Sequence, residues 1–207
     1  MKKRIALALC LVLLVSLVFA GCGTDAKEDL LGNWECQIDV SEMVRQQIAD
    51  GDESLAGYFD DLTLGIQFDL AFGQDDTFTM EVNREALEAA FSNMIDQAAQ
   101  GMLAYFEDLL VEQNLDMTVE ELLELSGIAS IEELLDQAMA IALEEMDLDS
   151  IKMEGTYAAK NGKLVMTVDD EEEEVPYTLK DGVLTLSIPE LEEILGESGE
   201  MVFHKAG

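Results

Sequence analysis

The sequence predicts an α+β fold: an antiparallel β-barrel or strongly curved sheet of about eight strands, with a helical insertion between strands three and four. Three observations predict it. Apolar residues alternate with polar ones in both outer thirds of the chain, most regularly at Leu64, Ile66, Phe68, Leu70 and Phe72. Between Arg84 and about Asp147 the apolar spacing changes to three or four residues. Asn161-Gly162 and Asp181-Gly182 then separate alternating runs, and such pairs favour two-residue hairpin turns.

At the start, Lys2-Lys3-Arg4 precede an apolar run from Ile5 to Ala20, followed by Gly21-Cys22. A cationic head, a short apolar middle and small residues at the end read as a secretory signal. The run is about 16 residues, short of the roughly 20 that span a bilayer as a helix. Phe19-Ala20-Gly21-Cys22 resembles the bacterial lipobox, with Phe19 where that family usually has Leu. The resemblance implies that residues 1–21 are removed and that Cys22 is acylated as the new N-terminus. Plain secretion and an uncleaved anchor are the alternatives. Residues 22–29 are then a lipidated tether, and residues 30–207 a single domain. Two acyl chains make a durable anchor, so the expected address is the outer face of the cell membrane.

Gly32 to Val40 alternates as a first strand, and Ser41 is expected to cap a helix through Ile48 with its hydroxyl. The run from Leu64 to Phe72 is the second strand, Gly73 to Asp76 a turn, and Phe78, Met80 and Val82 mark the third. Leu87, Phe91, Ile95, Ala98, Met102, Phe106 and Leu109 lie on one face of a long helix from Arg84 to about Asn114. Thr118 with Glu121, and Ser130 with Glu133, have capping-box spacing, and Gly127 ends the helix between them. After these come strands at Met153–Lys160, Lys163–Val168, Val175–Lys180, Val183–Ile188 and Met201–Lys205, with a short helix from Pro189 to Leu195. The acidic run Asp169 to Glu174 is expected as a solvated loop, since calcium would need convergent oxygens around a glycine-permitted turn.

Removing Lys2, Lys3 and Arg4 takes the formal net charge from −34 to −37. Such a chain repels nucleic-acid phosphate and anionic head groups, and charged partners should be cationic. Self-repulsion favours a monomer. Of three cysteines, Cys10 is expected to leave with the signal and Cys22 to be acylated, so no intramolecular disulfide is possible at Cys36. It alternates in phase with Trp34, Ile38 and Val40 and reads as a small buried hydrophobe.

Gly32-Asn33-Trp34 opens the first strand, and Val202-Phe203-His204-Lys205 closes the last. This resembles calycins and lipocalin-like bacterial lipoproteins, in which a basic residue of the final strand packs over a Gly-x-Trp tryptophan. The layout is also similar to surface lipoproteins of gut Firmicutes. The resemblance implies that Trp34 and Lys205 form a barrel-closing pair. Phe68, Leu70, Phe72, Phe78 and Tyr157 read as inward-facing and are expected to line a ligand cavity. A related open sheet or sandwich is the alternative fold.

His204 is the only histidine, and no second His or Cys cluster offers a metal site. No serine lies in a Gly-x-Ser-x-Gly elbow. Met94, Met102, Met139 and Met146 sit at helical spacing and read as core, or as the lining of an apolar entrance. The expectation is therefore a non-catalytic, cofactor-free and metal-free binding module for a small apolar ligand or peptide. The alternative is an envelope protein whose acidic face binds cationic partners.

Overall fold

The structure, a computed structural model, describes residues 26–146, 148, 151–188 and 199–206. In chain order the elements are α1 (Ala26–Leu30), β1 (Gly32–Asp39), α2 (Ser41–Gly51), a 3-10 turn (Ala56–Tyr58), β2 (Gly65–Phe72) and β3 (Thr77–Val82). Three helices follow, α3 (Arg84–Glu112), α4 (Val119–Ser126) and α5 (Ile131–Glu145). The chain then forms β4 (Met153–Lys160), β5 (Lys163–Val168), β6 (Glu171–Lys180), β7 (Val183–Ser187) and β8 (Glu200–Lys205). The eight strands close into a barrel in sequence order, so β8 returns to β1. This is the up-and-down arrangement found in lipocalins, and closure leaves no strand edge to pair with another molecule.

The chain forms two compact units. The first takes the described parts of Met1–Trp34, Leu70–Thr79 and Met153–Gly207; the second takes Glu35–Asp69 and Met80–Lys152.

In the first unit, apolar partners face one another across the strands. Tyr157 pairs with Met166, Leu164 with Val175, Leu184 with Phe203 and Leu186 with Met201, and all eight are buried. Burying one such side chain is worth about 1.5–3 kcal/mol, so these cross-strand pairs set the register. Asn161-Gly162 and Asp181-Gly182 each place two successive residues at positive φ, as a two-residue hairpin turn requires. Asp169-Asp170 makes a third turn of this kind, with φ of 50° and 68°. This corrects the expected acidic loop: only these two residues turn, and Glu171 to Glu174 already form the exposed start of β6, paired with β5. Aspartate tolerates the left-handed region because its short side chain bonds locally. α1 is a second difference. It occupies positions assigned to the tether, leaving Gly23, Thr24 and Asp25 between Cys22 and the helix.

In the second unit, α3 runs 29 residues. The Asn83 side chain caps it by accepting from the Ala86 amide at 2.9 Å. Leu87, Phe91, Ile95 and Ala99 form its buried stripe. Leu87 and Phe91 join Val40, Leu64 and Leu148 in a core against which Met94, Met139 and Leu143 pack. A Cβ at Gly101 would stand 2.4 Å from the Tyr58 carbonyl oxygen, so glycine is what lets α3 approach the 3-10 turn. Thr118 and Glu121 complete a reciprocal capping box, and Gly127 ends α4 with φ of 72°. At α5 the Ser130 hydroxyl accepts from the Glu133 amide, while the Glu133 carboxylate takes a bond from Gln137.

Ser41 departs from its expected capping role. Its hydroxyl donates to Asp39 Oδ1 and accepts from the Leu64 amide at 2.8 Å, fastening the start of α2 to the chain entering β2. The N-cap position of α2 is Val40, without a side-chain cap, and Asp39 just before it accepts from the Ser41 amide at 2.9 Å. The expected helix from Pro189 to Leu195, together with Cys10 and Cys22, lies outside the described residues.

Candidate functional site

Trp34 is 1 % exposed, and its indole N–H donates to the Leu30 carbonyl at 2.7 Å. A buried indole needs such a partner, and the bond fastens the last turn of α1 to β1. Lys205 Nζ lies 5.2 Å from the Trp34 ring centre and 3.4 Å from the Asp29 carbonyl oxygen. The Ala206 amide donates to the Asn33 carbonyl at 2.9 Å, joining the end of β8 to β1. On the other side of α1, Lys27 pairs with Asp76 at 2.6 Å, which raises the lysine pKa, chiefly through the hydrogen bond. α1 thus lies at the barrel end formed by the start of β1, the end of β8 and the β2–β3 turn. His204, its neighbour on β8, is exposed.

The five residues expected to line a cavity differ among themselves. Leu70 is 0 %, Phe78 2 %, Phe72 3 % and Tyr157 3 % exposed, whereas Phe68 is only half-buried. The Phe72 and Tyr157 rings pack with centroids 4.6 Å apart. A side chain lining an empty space large enough for water keeps accessible surface even when that space is sealed. These four keep almost none, so they contact protein on nearly every side. The Tyr157 hydroxyl is buried and has no hydrogen-bond partner among the described residues. Burial accordingly pushes its pKa up.

The second unit holds an open cleft of about 390 Å³ lined by Gln37, Asp39, Ser41, Thr63, Leu64 and Gly65. Its polar groups are mostly engaged with one another. Asp39 holds Ser41, and these bonds, the hydroxyl's first, keep the carboxyl below its usual range. The Thr63 amide donates to Gln97 Oε1 at 2.8 Å. A Cβ at Gly65 would meet Gln37 Nε2 at 2.6 Å, so the missing side chain gives the Gln37 amide its place. The sequence reading missed this cleft. Its one local signal was the Asp39-x-Ser41 spacing of an Asx turn.

The helices of the second unit present a different surface. From residue 85 to residue 151 there is no Lys, Arg or His. None of α3, α4 and α5 has a basic residue in its last turn, although a helix C-terminus carries partial negative charge. Acids stand there instead, among them Glu112 on α3 and Glu124 on α4. On α5, Leu134 and Ile141 are 47 % and 58 % exposed; they lie two turns apart, with exposed Ala138 between them. Leu125 on α4 is 79 % exposed. Of the four methionines, Met94 and Met139 serve the core, Met102 is half-buried and Met146 is 37 % exposed.

Among the described residues no group of His, Cys, Asp and Glu is arranged to hold a metal ion. Cys36 is a buried cysteine. No described helix is long and apolar enough to cross a membrane. Comparison of the chain with family models, curated proteins and solved structures finds no match to any of them.

Proposed function

We propose that this chain is a lipid-anchored protein of the cell envelope, tethered at Cys22, whose helices between β3 and β4 are an inserted module that binds cationic, amphipathic peptide segments. The observation that carries the reading is the absence of any cation from residue 85 to residue 151. Helix ends lacking positive charge leave unfavourable dipole terms of about 0.3–1 kcal/mol each. A bound lysine or arginine would relieve them. The exposed apolar residues Leu134, Ala138 and Ile141 of α5 supply hydrophobic contact, as helix recognition through anchors one and two turns apart requires. A small apolar ligand inside the barrel draws less support, because Leu70, Phe72, Phe78 and Tyr157 have almost no surface left to offer.

Calorimetric titration of the full chain with a synthetic lysine–leucine amphipathic helix tests the reading. Binding should weaken at least about tenfold between low salt and 0.5 M NaCl, where the Debye length falls below about 5 Å. Leu134→Glu with Ile141→Glu should weaken it further at fixed salt. Affinity indifferent to salt, or no binding in low salt, would refute it.

A further inference from the structure

The alternation of antiparallel strands sorts the lysines of the first unit. α1, the β2–β3 turn, the β4–β5 turn, the β6–β7 turn and the end of β8 all lie at one end of the barrel. Lys27, Lys160, Lys163, Lys180 and Lys205 occupy those positions, and they are all of the unit's described cations. The opposite end carries the β5–β6 turn and the start of β8, with Asp169, Asp170, Glu171, Glu172, Glu173 and Glu200. The nearest cation along the chain there, Lys152, belongs to the second unit and pairs with Glu81.

The lysines at the α1 end are not equally engaged. Lys27 is paired with Asp76, Lys163 with Glu174, and Lys205 lies over Trp34. Lys160 and Lys180 are exposed, beside the two hairpin turns, and have no ion-pair partner among the described residues. Glu28, Asp29, Asp75, Asp76, Asp181 and Glu174, the partner of Lys163, stand against the five lysines, so towards an anionic surface this end is nearly neutral where the other end is repelled.

Acylation of Cys22 would put an anchor near this end. Four chain steps separate Cys22 from Ala26, a reach of at most about 14 Å. Tilted strands of eight residues put the acidic end roughly 20 Å farther away, beyond the Debye length of about 8 Å at physiological salt.

We propose that the α1 end of the barrel is a membrane-facing surface, and that Lys160 and Lys180 on its rim engage anionic lipid head groups. The proposal rests on acylation of Cys22. It localises to one rim an attraction that the net charge alone would forbid.

The test uses the full acylated chain in phosphatidylcholine vesicles with and without phosphatidylglycerol. A nitroxide is placed on Gln74→Cys, at the α1 end, or on Glu172→Cys, at the other; Cys36 is buried and does not compete. Nickel-chelating lipid should relax the Gln74 label at least about threefold more than the Glu172 label, with phosphatidylglycerol widening the ratio. Lys160→Glu with Lys180→Glu should abolish the widening and leave cosedimentation intact. Equal relaxation at the two labels overturns the orientation. A ratio that phosphatidylglycerol does not change, or that the lysine substitutions do not reduce, overturns the role of the rim. A chain that neither carries acyl groups at Cys22 by mass spectrometry nor cosediments overturns the anchor and the proposal together.

Discussion

Lys205 Nζ stands 5.2 Å from the centre of the Trp34 ring, and Trp34 Nε1 donates to the Leu30 carbonyl at 2.7 Å. One tryptophan therefore joins three segments: the last strand over its face, its own strand, and α1 at its edge. Trp34 is the only tryptophan, so its emission reports on this junction alone. Lys205→Ala should lower stability by about 0.5–1 kcal/mol, the worth of an exposed cation over an indole. Trp34→Phe removes the N–H and should cost more, about 1–3 kcal/mol, because the buried Leu30 carbonyl loses its donor. Urea titrations by circular dichroism measure both. A Lys205→Ala loss equal to that of Trp34→Phe would mean that the lysine, not the indole N–H, holds the junction.

Tyr157 offers a prediction of opposite sign. Its ring is packed against Phe72, but its hydroxyl is buried with no partner among the described residues. Desolvating a hydroxyl without replacing its water bonds costs about 1–3 kcal/mol. Tyr157→Phe keeps the ring and removes that penalty, so the urea midpoint should rise with an unchanged denaturant slope. A midpoint lowered by more than about 1 kcal/mol equivalent would show that the hydroxyl has an ordered partner.

Gly101 sets two effects against each other. In an exposed helix, Gly→Ala gains about 0.8–1 kcal/mol of propensity. Here the added carbon would meet the Tyr58 carbonyl oxygen at 2.4 Å and the Phe59 ring at 3.0 Å. The carbonyl is backbone and cannot swing aside, so α3 must shift from the 3-10 turn. That shift also strains the Tyr58 hydroxyl bond to Asp108, now 2.7 Å. Gly101→Ala should destabilise by about 1–3 kcal/mol, as overpacking does. A stabilised variant would mean that α3 and the 3-10 turn leave room for a methyl group at residue 101.

Where local chemistry decides the backbone, the sequence was legible. Asn161-Gly162 and Asp181-Gly182 could hardly be anything but tight turns, and Thr118 with Glu121 carries its own cap. Strict alternation in β2 likewise foretold a strand with one buried face, at least from Leu70 to Phe72. What escaped depends on distant partners. α1 is five residues long, too short to hold itself as a helix; Trp34, Lys205 and Asp76 hold it. Asp169-Asp170 turns without glycine because the strands on either side are already paired. The cleft escaped because Gln37, Ser41 and Gly65 meet only after β1 and β2 are aligned.

Asp39 gives the fold a pH-dependent joint. Hydrogen bonds from Ser41, the hydroxyl's first, depress its pKa in the folded state. A depressed acid contributes stability that is present above its unfolded value, about 3.9, and is lost as pH falls through the lower folded value. Asp39 is exposed on one side, so the contribution is small, at most about 1 kcal/mol. Asp39→Asn should be less stable than the parent by a constant amount above about pH 5, and the gap should narrow below about pH 4. Urea midpoints from pH 3 to pH 7 measure it. A gap that stays constant down to pH 3 would mean the carboxylate charge is not what Ser41 responds to.

Salt should stabilise this protein. Most folded chains mix both signs of charge and change little with ionic strength, but this one carries −34 in full and −37 without its first three cations. Among the described residues the ion pairs Lys27–Asp76, Arg45–Glu42, Lys152–Glu81 and Lys163–Glu174 are exposed or half-exposed, and screening them loses little. Screening the carboxylates of residues 85–151, which have no cation among them, gains more. Raising NaCl from about 10 mM to about 1 M shortens the Debye length from about 30 Å to about 3 Å. The melting temperature should rise by several degrees over that range, and most steeply at the low end. Sodium sulfate would confound the effect by strengthening apolar burial, so chloride is the salt to use. A melting temperature that falls with chloride would mean that the few ion pairs outweigh the repulsion. The reading of the helices as a surface short of positive charge would then fail with it.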